Sequence, residues 1–207
     1  MRIDFDPESV SPGDFYQLLT AVIVPRPIAW VSTVSADGVP NVAPHSFYTV
    51  ASTAPPVVQF TSVGEKDTLR NAVATGEFVV NFATEDQFAL VNDTGTDFPP
   101  EVGEFGAVGI GAEPSARVKP SRVAGSPVAI ECALHSTVGF GGSTVVFGRV
   151  LHLAIREDVL VDGHPEITRL KPLSRLGADE WGTSNVRFDQ RRIRYRDWQG
   201  GARTPRY

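Results

Sequence analysis

The amino-acid sequence predicts a mostly β protein, a β-barrel with peripheral helices. Many short apolar runs, each bounded by turn residues, are typical of strands. The helices that the sequence predicts are few and short. Strands do not alternate regularly with long helices, which argues against a doubly wound parallel sheet and favours a barrel or sandwich.

A short helix is predicted at the start of the structured part. Ser11 is a good N-cap, and Pro12 suits the first helical position. Phe15, Leu18 and Leu19 then give one apolar face. The next two prolines end the helix, since proline does not continue one.

The first two predicted strands form a hairpin, and the second of them is irregular. Residues 28–35 are a strand, and a turn at residues 36–38 ends on a glycine that can take a positive φ. Residues 39–51 are the second strand, but Pro40 and Pro44 interrupt it. Prolines within a strand indicate an edge, a bulge or an irregular segment near a ligand.

The remaining elements follow in order. They are a strand at residues 56–63, a helix at 68–74, a strand at 77–83, a helix at 85–92 capped by Thr84, long strands at 127–140 and 143–157, and short closing pieces at 159–161 and 173–176. Residues 95–125 are rich in Gly and Pro, so we expect an excursion over the surface with a weak helix near 100–105. We assign residues 1–186 to one domain and 187–207 to a basic C-terminal extension.

Composition and charge limit the class of protein. The 207 residues carry a net charge of −5, and no run approaches 18 uncharged apolar residues, so no membrane span is expected. Cys132 is the single cysteine and forms no intrachain disulfide, and the N-terminus lacks the pattern of a secretory signal. We therefore expect a cytoplasmic protein. An acidic body also argues against nucleic-acid binding.

The C-terminal extension has a different charge from the body. Residues 187–207 hold seven Arg and two Asp. Within them, residues 191–198 alternate Arg with apolar and aromatic residues, which fits a strand packed on the body or a contact with an acidic partner subunit. Nucleic-acid binding is the alternative that the acidic remainder disfavours.

Several common sites are missing from the sequence. It holds no P-loop, no nucleophile elbow and no His-Glu-x-x-His motif, and its four His lack metal-ligand spacing, so no metal site is predicted.

Two candidates remain. In the first, residues 62–68 join a predicted strand to a predicted helix, whose free N–H groups can bind an anion together with Ser62, Lys66 and Thr68. The alternative is plain helix capping by Asp67 or Thr68.

The second candidate is the irregular segment at residues 43–49. It can direct free N–H groups towards a flat heterocycle. The alternative is a bulged edge strand with Phe47 and Tyr48 in the core.

The order of these motifs resembles that of the flavin-reductase-like FMN-binding split-barrel family. The resemblance is to its longer members, described as flavoredoxin-like or flavoprotein-oxygenase-like. It is carried by PRPIAWVST at 25–33, NVAPHSFY at 41–48, KDTLRN at 66–71, and LKPLSRLG at 170–177 followed by Trp181. It implies a six-stranded Greek-key split barrel that forms a homodimer, with flavin near the subunit interface. At His45 the family often has Tyr or Phe, and at Trp181 it often has Tyr.

The resemblance also implies roles for residues. Lys66, Thr68 and Ser62 would hold the flavin phosphate, and Asp67 would shape the loop. Ser46, Phe47 and Tyr48 would run under the isoalloxazine, while Trp30, Ser32 and Thr33 would line the pocket. His152 matches a position on the nicotinamide side, with a hydrogen-bonded structural histidine as the alternative. Arg175 would reach the flavin or a nicotinamide.

The implied function is that of a flavin-reductase-like oxidoreductase. NADH or NADPH would reduce FMN, with FAD as a possible substitute, and electrons would pass to free flavin, a partner monooxygenase or another acceptor. The flavin carries the redox chemistry, so no acid–base dyad is required of the protein. One alternative is an FMN-binding electron carrier without nicotinamide activity of its own. Another is a non-enzymatic binding module.

Overall fold

A computed structural model describes residues 1–184, 187–189 and 194–195. The strand predicted at residues 191–198 lies outside the described residues, apart from two of its positions. In the described part, the helices are α1 Pro12–Val22, α2 Asp67–Thr75, α3 Phe88–Asp93, α4 Glu104–Val108 and α5 Ile167–Leu170, with 3₁₀ turns at Glu85–Gln87 and Glu157–Val159. No helix among these is long and apolar enough to cross a membrane.

Fourteen strands lie in the same part of the chain. They are β1 Arg26–Pro27, β2 Ala29–Val34, β3 Pro40–His45, β4 Tyr48–Thr53, β5 Pro56–Val63, β6 Glu77–Phe82, β7 Ala112–Glu113, β8 Arg122–Val123, β9 Val128–Phe140, β10 Ser143–Ile155, β11 Leu160–Val161, β12 His164–Pro165, β13 Leu173–Arg175 and β14 Trp181–Thr183. The main sheet has seven antiparallel strands in the order β3-β2-β6-β9-β10-β5-β4.

The two edge strands of this sheet are neighbours in the chain. Only Ser46 and Phe47 separate β3 from β4, and so short a link spans at most about 11 Å. The sheet must therefore curl until its edges meet, which confirms the predicted β-barrel. It has seven strands rather than six because Ser46 and Phe47 divide the single strand predicted at residues 39–51 into β3 and β4.

The barrel interior and its outer face hold separate apolar clusters. Along β2, Ala29 and Val31 point into the interior, where they pack with Phe60 and Phe78. Trp30, between them, points outwards into a second cluster. This alternation follows from the two-residue repeat of a strand, and it decides which side chains of β2 can reach the interior.

Helices α1 and α2 begin and end largely as the sequence predicts. The Ser11 side chain accepts a hydrogen bond from the Asp14 N–H at 3.1 Å, as an N-cap does. Helix α2 ends at Gly76, which has a φ of 74° that favours glycine. The apolar face of α1 is only half covered, since Leu19 remains 45% exposed.

Two predicted segments differ from the structure. The helix predicted at residues 85–92 begins as a 3₁₀ turn with a capping box at Thr84 and continues as α3. Residues 95–125 are not merely a surface excursion, because they contain α4 and two short strands. Phe105, Ile110 and Val123 from this segment are buried in the outer cluster, and their burial fixes the segment to the barrel.

Candidate functional site

A cleft of about 510 Å³ opens where the two edges of the sheet meet. That volume lies in the range of small-molecule sites. Strands β3 and β5, the start of α2 and residues 94–100 form its walls. Its lining side chains include Tyr16, Asn41, Ala43, His45, Ser46, Phe47, Thr61, Glu65, Lys66, Asp67, Thr68, Arg70, Phe98 and Glu104.

The first turn of α2 forms the cationic end of the cleft. No side chain caps this helix at Lys66, so its first N–H groups are not occupied by a side-chain acceptor. Asp67 forms an ion pair with Arg70 one turn later, which balances its negative charge. Lys66 is exposed at the mouth of the cleft. Free N–H groups, the helix dipole and Lys66 together suit an anionic group.

Thr68 joins α2 to β3 through a buried polar network. Its hydroxyl donates to Asn41 Oδ1 at 3.1 Å, and the Thr33 hydroxyl donates to the same oxygen at 3.1 Å. Asn71 Nδ2 in turn donates to Thr33 Oγ1 at 3.1 Å. A hydroxyl has one hydrogen to donate. Thr68 therefore offers a ligand only acceptor lone pairs, unlike the phosphate donor that the resemblance implies.

Glu104 completes this network from α4. Its two carboxylate oxygens accept from Asn41 Nδ2 at 2.8 Å and from the Val42 N–H at 3.1 Å. Burial raises the pKa of Glu104, against the hydrogen bonds from its own and the Val42 N–H groups and from Asn41, which act to lower it. The carboxylate thus sets the orientation of the Asn41 amide and, through it, the position of α2.

Ser62 shapes the turn before α2. It is fully buried, and its hydroxyl donates to the Gly64 carbonyl at 2.9 Å. It is not among the residues that line the cleft. Ser62 therefore shapes the turn behind the anion-binding end of the cleft and does not line the cleft itself.

Ser46 and Phe47 form the boundary between the cleft and a second cavity of about 410 Å³. Tyr48 lines only the second cavity. Arg26 supports this boundary, because its Nε lies 3.4 Å from Ser46 Oγ and its guanidinium carbon lies 6.0 Å from the centroid of the Phe47 ring. Arg26 Nη2 also donates to the Leu176 carbonyl at 2.7 Å. Arg26 thus connects Leu176, in the LKPLSRLG motif at residues 170–177, to the kinked segment at Ser46 and Phe47.

Trp30, Ser32 and Thr33 do not line the cleft, contrary to prediction. The Trp30 indole donates to Thr94 Oγ1 at 2.9 Å, and the Ser32 hydroxyl donates to the Ser121 carbonyl at 2.6 Å. Both side chains lie on the outer face of β2, because strand residues alternate between faces. Thr33 faces the interior but is covered by the network around Asn41.

Two further predicted residues also lie away from the cleft. His152 stands opposite Glu131 on β10, and it lines neither cavity. The Arg175 guanidinium carbon lies 4.5 Å from the centroid of the Trp181 ring, and Nη2 donates to the Ala178 carbonyl at 2.7 Å. The structure brings together Ser46, Phe47, Lys66, Asp67 and Thr68.

Sequence reasoning missed a group of cleft residues. They are Tyr16, Glu104 and residues 94–100, while Asn41, His45 and Arg70 were noted only as parts of motifs. The sequence gives no local sign for Glu104 or residues 94–100, because they reach the cleft only through tertiary contacts, such as those of Glu104 with β3 and of Thr94 with Trp30. Arg70 could have been found from its position one turn after Asp67 in a helix.

The cleft fits a phosphorylated molecule with a flat aromatic ring. The start of α2 suits the phosphate, and the Ser46–Phe47 segment suits the ring. His45 contributes to the cleft lining, while its ring packs against the core residue Phe60 with the centroids 4.7 Å apart. Among the described residues, no group of three or more His, Cys, Asp or Glu is placed to hold a metal ion.

Comparisons with known proteins point to one family. Residues 21–170 match the family described as "Flavin reductase like domain". An uncharacterized protein of Aquifex aeolicus is 39% identical over 174 residues, which cover 80% of this chain and 88% of the relative. Nitrilotriacetate monooxygenase component B from Bacillus cereus superposes with a TM-score of 0.87 at 29% identity, covering 92% of this chain and 99% of that one. The 2-nitrobenzoate 2-nitroreductase NbaA from Pseudomonas fluorescens gives a TM-score of 0.84 at 27% identity, with coverage of 93% and 98%.

Proposed function

The chain belongs to the flavin reductase-like family, and from this membership we propose that it is an oxidoreductase that binds FMN in the cleft and takes electrons from NADH or NADPH. The observation that carries the proposal is the meeting of the uncapped start of α2 with the kinked Ser46–Phe47 segment in one cavity. A phosphate and a planar ring are the two ends of FMN.

The residues divide the binding between them. Lys66 and the first N–H groups of α2 hold the phosphate, and Arg70 fixes Asp67 so that its carboxylate does not compete for those groups. Ser46 and Phe47 support the ring from below. The bound flavin supplies the hydride and electron chemistry, and the protein supplies position and electrostatics.

Two of the similar proteins are named for redox systems. One is a component of nitrilotriacetate monooxygenase and the other is a nitroreductase. These names support an acceptor outside the flavin site, which for this chain is free flavin, a partner oxygenase or a small organic molecule. The apolar cavity beside Phe47 offers room for a nicotinamide or such an acceptor next to the ring.

A homodimer is part of the proposal. Val22 and Ile23 at the end of α1 are 74% and 60% exposed, and Leu19 is 45% exposed. They adjoin the apolar cavity beside Phe47, which Leu19 and Ile23 line. An apolar surface of this kind in contact with a binding site supports a subunit interface there.

A second candidate is an FMN-binding electron carrier without nicotinamide activity. The positions of His152 and Arg175 favour it, because the two residues that the resemblance linked to a nicotinamide line neither cavity. The two candidates share the flavin site and differ only in the source of electrons.

One experiment tests the proposal and separates the two candidates. The absorbance spectrum of the purified protein with FMN is recorded before and after addition of NADH, and then of NADPH, without oxygen. We expect a bound-flavin spectrum that bleaches with one of the two nucleotides. A bound-flavin spectrum that stays unchanged supports the carrier, and absence of flavin binding contradicts both.

A further inference from the structure

The second cavity, beside Ser46 and Phe47, differs in charge from the cleft. Acidic and basic side chains both line the cleft, among them Glu104 and Lys66. The second cavity is lined mainly by apolar and aromatic side chains from the end of α1, from β1 and from the start of β4. Among the described residues, Arg26 is its only charged lining residue, and no carboxylate lines it. The cavity therefore combines apolar walls with a positive charge.

Arg26 is a buried cation without an acidic partner in the described part of the chain. It is 7% exposed, and its guanidinium donates to the backbone carbonyls of Thr20, Ile23 and Leu176 and to the Ser46 hydroxyl. These acceptors are neutral, and no described Asp or Glu oxygen lies within 4.0 Å of the Arg26 nitrogens. The dipole at the end of α1 offsets only about half a unit of the charge. Since buried charges are usually paired, Arg26 leaves a positive field at the cavity.

Arg175 adds a second positive charge next to the first. Arg26 on β1 and Arg175 on β13 are directly paired residues of antiparallel strands, so their side chains start from the same face of the sheet. The Arg175 guanidinium contacts the Trp181 ring and the Ala178 carbonyl, and no described carboxylate lies within 4.0 Å of its nitrogens. Like charges in directly paired positions repel each other. An anion bound near Arg26 would relieve this repulsion.

We propose that the second cavity binds a small aromatic carboxylate, with the ring between the apolar walls and the carboxylate on the side of Arg26. This inference rests on the proposed function, because it narrows the small organic molecule that meets the flavin to one chemical class. A volume of about 410 Å³ lies in the range of small-molecule sites. Opposite charges attract over several ångström where water is largely excluded, so the carboxylate does not need to displace any of the hydrogen bonds of Arg26.

The test compares 2-naphthoate, 2-naphthamide and 2-naphthylmethylammonium, which share one ring system and differ in charge. Calorimetric titration gives their dissociation constants for the full-length protein saturated with FMN, whose phosphate occupies the start of α2 and keeps naphthoate away from it. Leu19→Asp places a negative charge in the wall of the second cavity, and Leu19→Asn is its neutral counterpart. Val22→Asp, on the same helix and outside both cavities, is the control. Leu19 and Val22 are 45% and 74% exposed, so these variants should fold.

We expect the wild type to bind naphthoate about tenfold more tightly than naphthamide, as for one charge interaction near a protein surface, and the ammonium probe least tightly. Leu19→Asp should abolish the preference for naphthoate, whereas Leu19→Asn and Val22→Asp should keep it. Equal binding of naphthoate and naphthamide by the wild type overturns the inference, and so does a preference that Leu19→Asp leaves intact.

Failure of the proposed function has a different result. A wild type that does not bind FMN refutes the flavin site. The same titrations on flavin-free Lys66→Ala protein, in which the start of α2 is a weaker anion site, then decide the preference of the second cavity by the same two criteria. A protein that binds FMN and shows no preference for naphthoate refutes only the carboxylate site.

Discussion

Asn41 and Glu104 meet beneath the cleft, where Asn41 Nδ2 donates to Glu104 Oε1 at 2.8 Å. This contact joins the short helix α4 to the edge strand β3, and its effect extends further. Because Glu104 accepts from the amide nitrogen, the amide oxygen of Asn41 faces the hydroxyl of Thr68 and holds the start of α2. The anion-binding end of the cleft thus depends on a carboxylate that lies 63 residues after Asn41 in the sequence.

Replacing Glu104 by Gln tests this network. Both partners of the carboxylate are donors, so the amide nitrogen of Gln would face either Asn41 Nδ2 or the Val42 N–H. We expect the free energy of unfolding to fall by about 1–3 kcal/mol, the cost of leaving buried groups unpaired. Urea denaturation measures it. Glu101→Gln, at an exposed position on the same segment, is the matched control, and equal losses in the two variants would contradict the network.

The same residue predicts a pH dependence. Burial raises the pKa of Glu104 in the folded protein above the value of 4.5 for the free side chain. The folded state therefore holds this proton more tightly than the unfolded state, so the contribution is present at low pH and is lost as pH rises through the folded pKa. The stability deficit of Glu104→Gln relative to wild type should be larger at pH 5 than at pH 7. A deficit that does not change with pH would contradict the shift.

The parts of the structure that the sequence predicts well are those with local signals. Ser11 and Gly76 mark the ends of helices through capping, and the long hairpin of β9 and β10 follows from apolar runs on either side of two glycines. The kinked segment was identified from Pro40 and Pro44, which cannot donate to a sheet. The link at Ser46–Phe47, where the barrel closes, begins two residues after Pro44.

The parts that could not be predicted depend on tertiary contacts. Trp30 and Ser32 were placed in the pocket because the motif contains them, but the face that each residue of β2 presents is decided by which side the helices cover. The sequence around Glu104 does not reveal its role, because its hydrogen bonds with Asn41 and Val42 form only when α4 packs on β3.

Lys66 should distinguish the phosphate from the rest of the flavin. The side chain is exposed, so Lys66→Ala should fold normally. We expect FMN affinity to fall about tenfold at low salt, as for one charge-assisted contact, with little change for riboflavin. Fluorescence titration measures both. Lys171→Ala, an exposed lysine outside the cleft, is the control, and equal losses for FMN and riboflavin would place Lys66 elsewhere in the site.

Arg26 should position the kinked segment. Its buried guanidinium donates to the carbonyls of Thr20, Ile23 and Leu176 and contacts Ser46. Arg26→Ala leaves these carbonyls without their donor, so we expect about 3 kcal/mol less stability and a loss of affinity for lumiflavin as well as FMN. The control is a substitution of the exposed Arg149 to Ala. Unchanged lumiflavin binding by a folded Arg26→Ala protein would show that the Ser46–Phe47 segment keeps its shape without Arg26.

Glu131 on β9 holds the preceding segment at residues 116–122 through hydrogen bonds. This fully buried carboxylate accepts from the N–H groups of Ala116 and Arg117 and from the Arg122 guanidinium. Burial acts to raise its pKa, but the hydrogen bonds from Ala116, Arg122 and Arg117 outweigh it, so the pKa of Glu131 is lowered. The ionised form is therefore the one that the folded protein stabilises.

Glu131→Gln should lower the free energy of unfolding at pH 7 by about 3 kcal/mol, because it leaves the Arg122 charge partly buried without its partner. A depressed folded pKa gives stability that is present above the unfolded pKa and is lost as pH falls. Acidification should therefore remove more stability from the wild type than from the variant, so that their denaturation midpoints converge. Glu113→Gln, at an exposed position opposite Arg122 on β7, is the control and should parallel the wild type. Midpoints that stay equally separated down to acid pH would mean that Glu131 does not stabilise the fold through its charge.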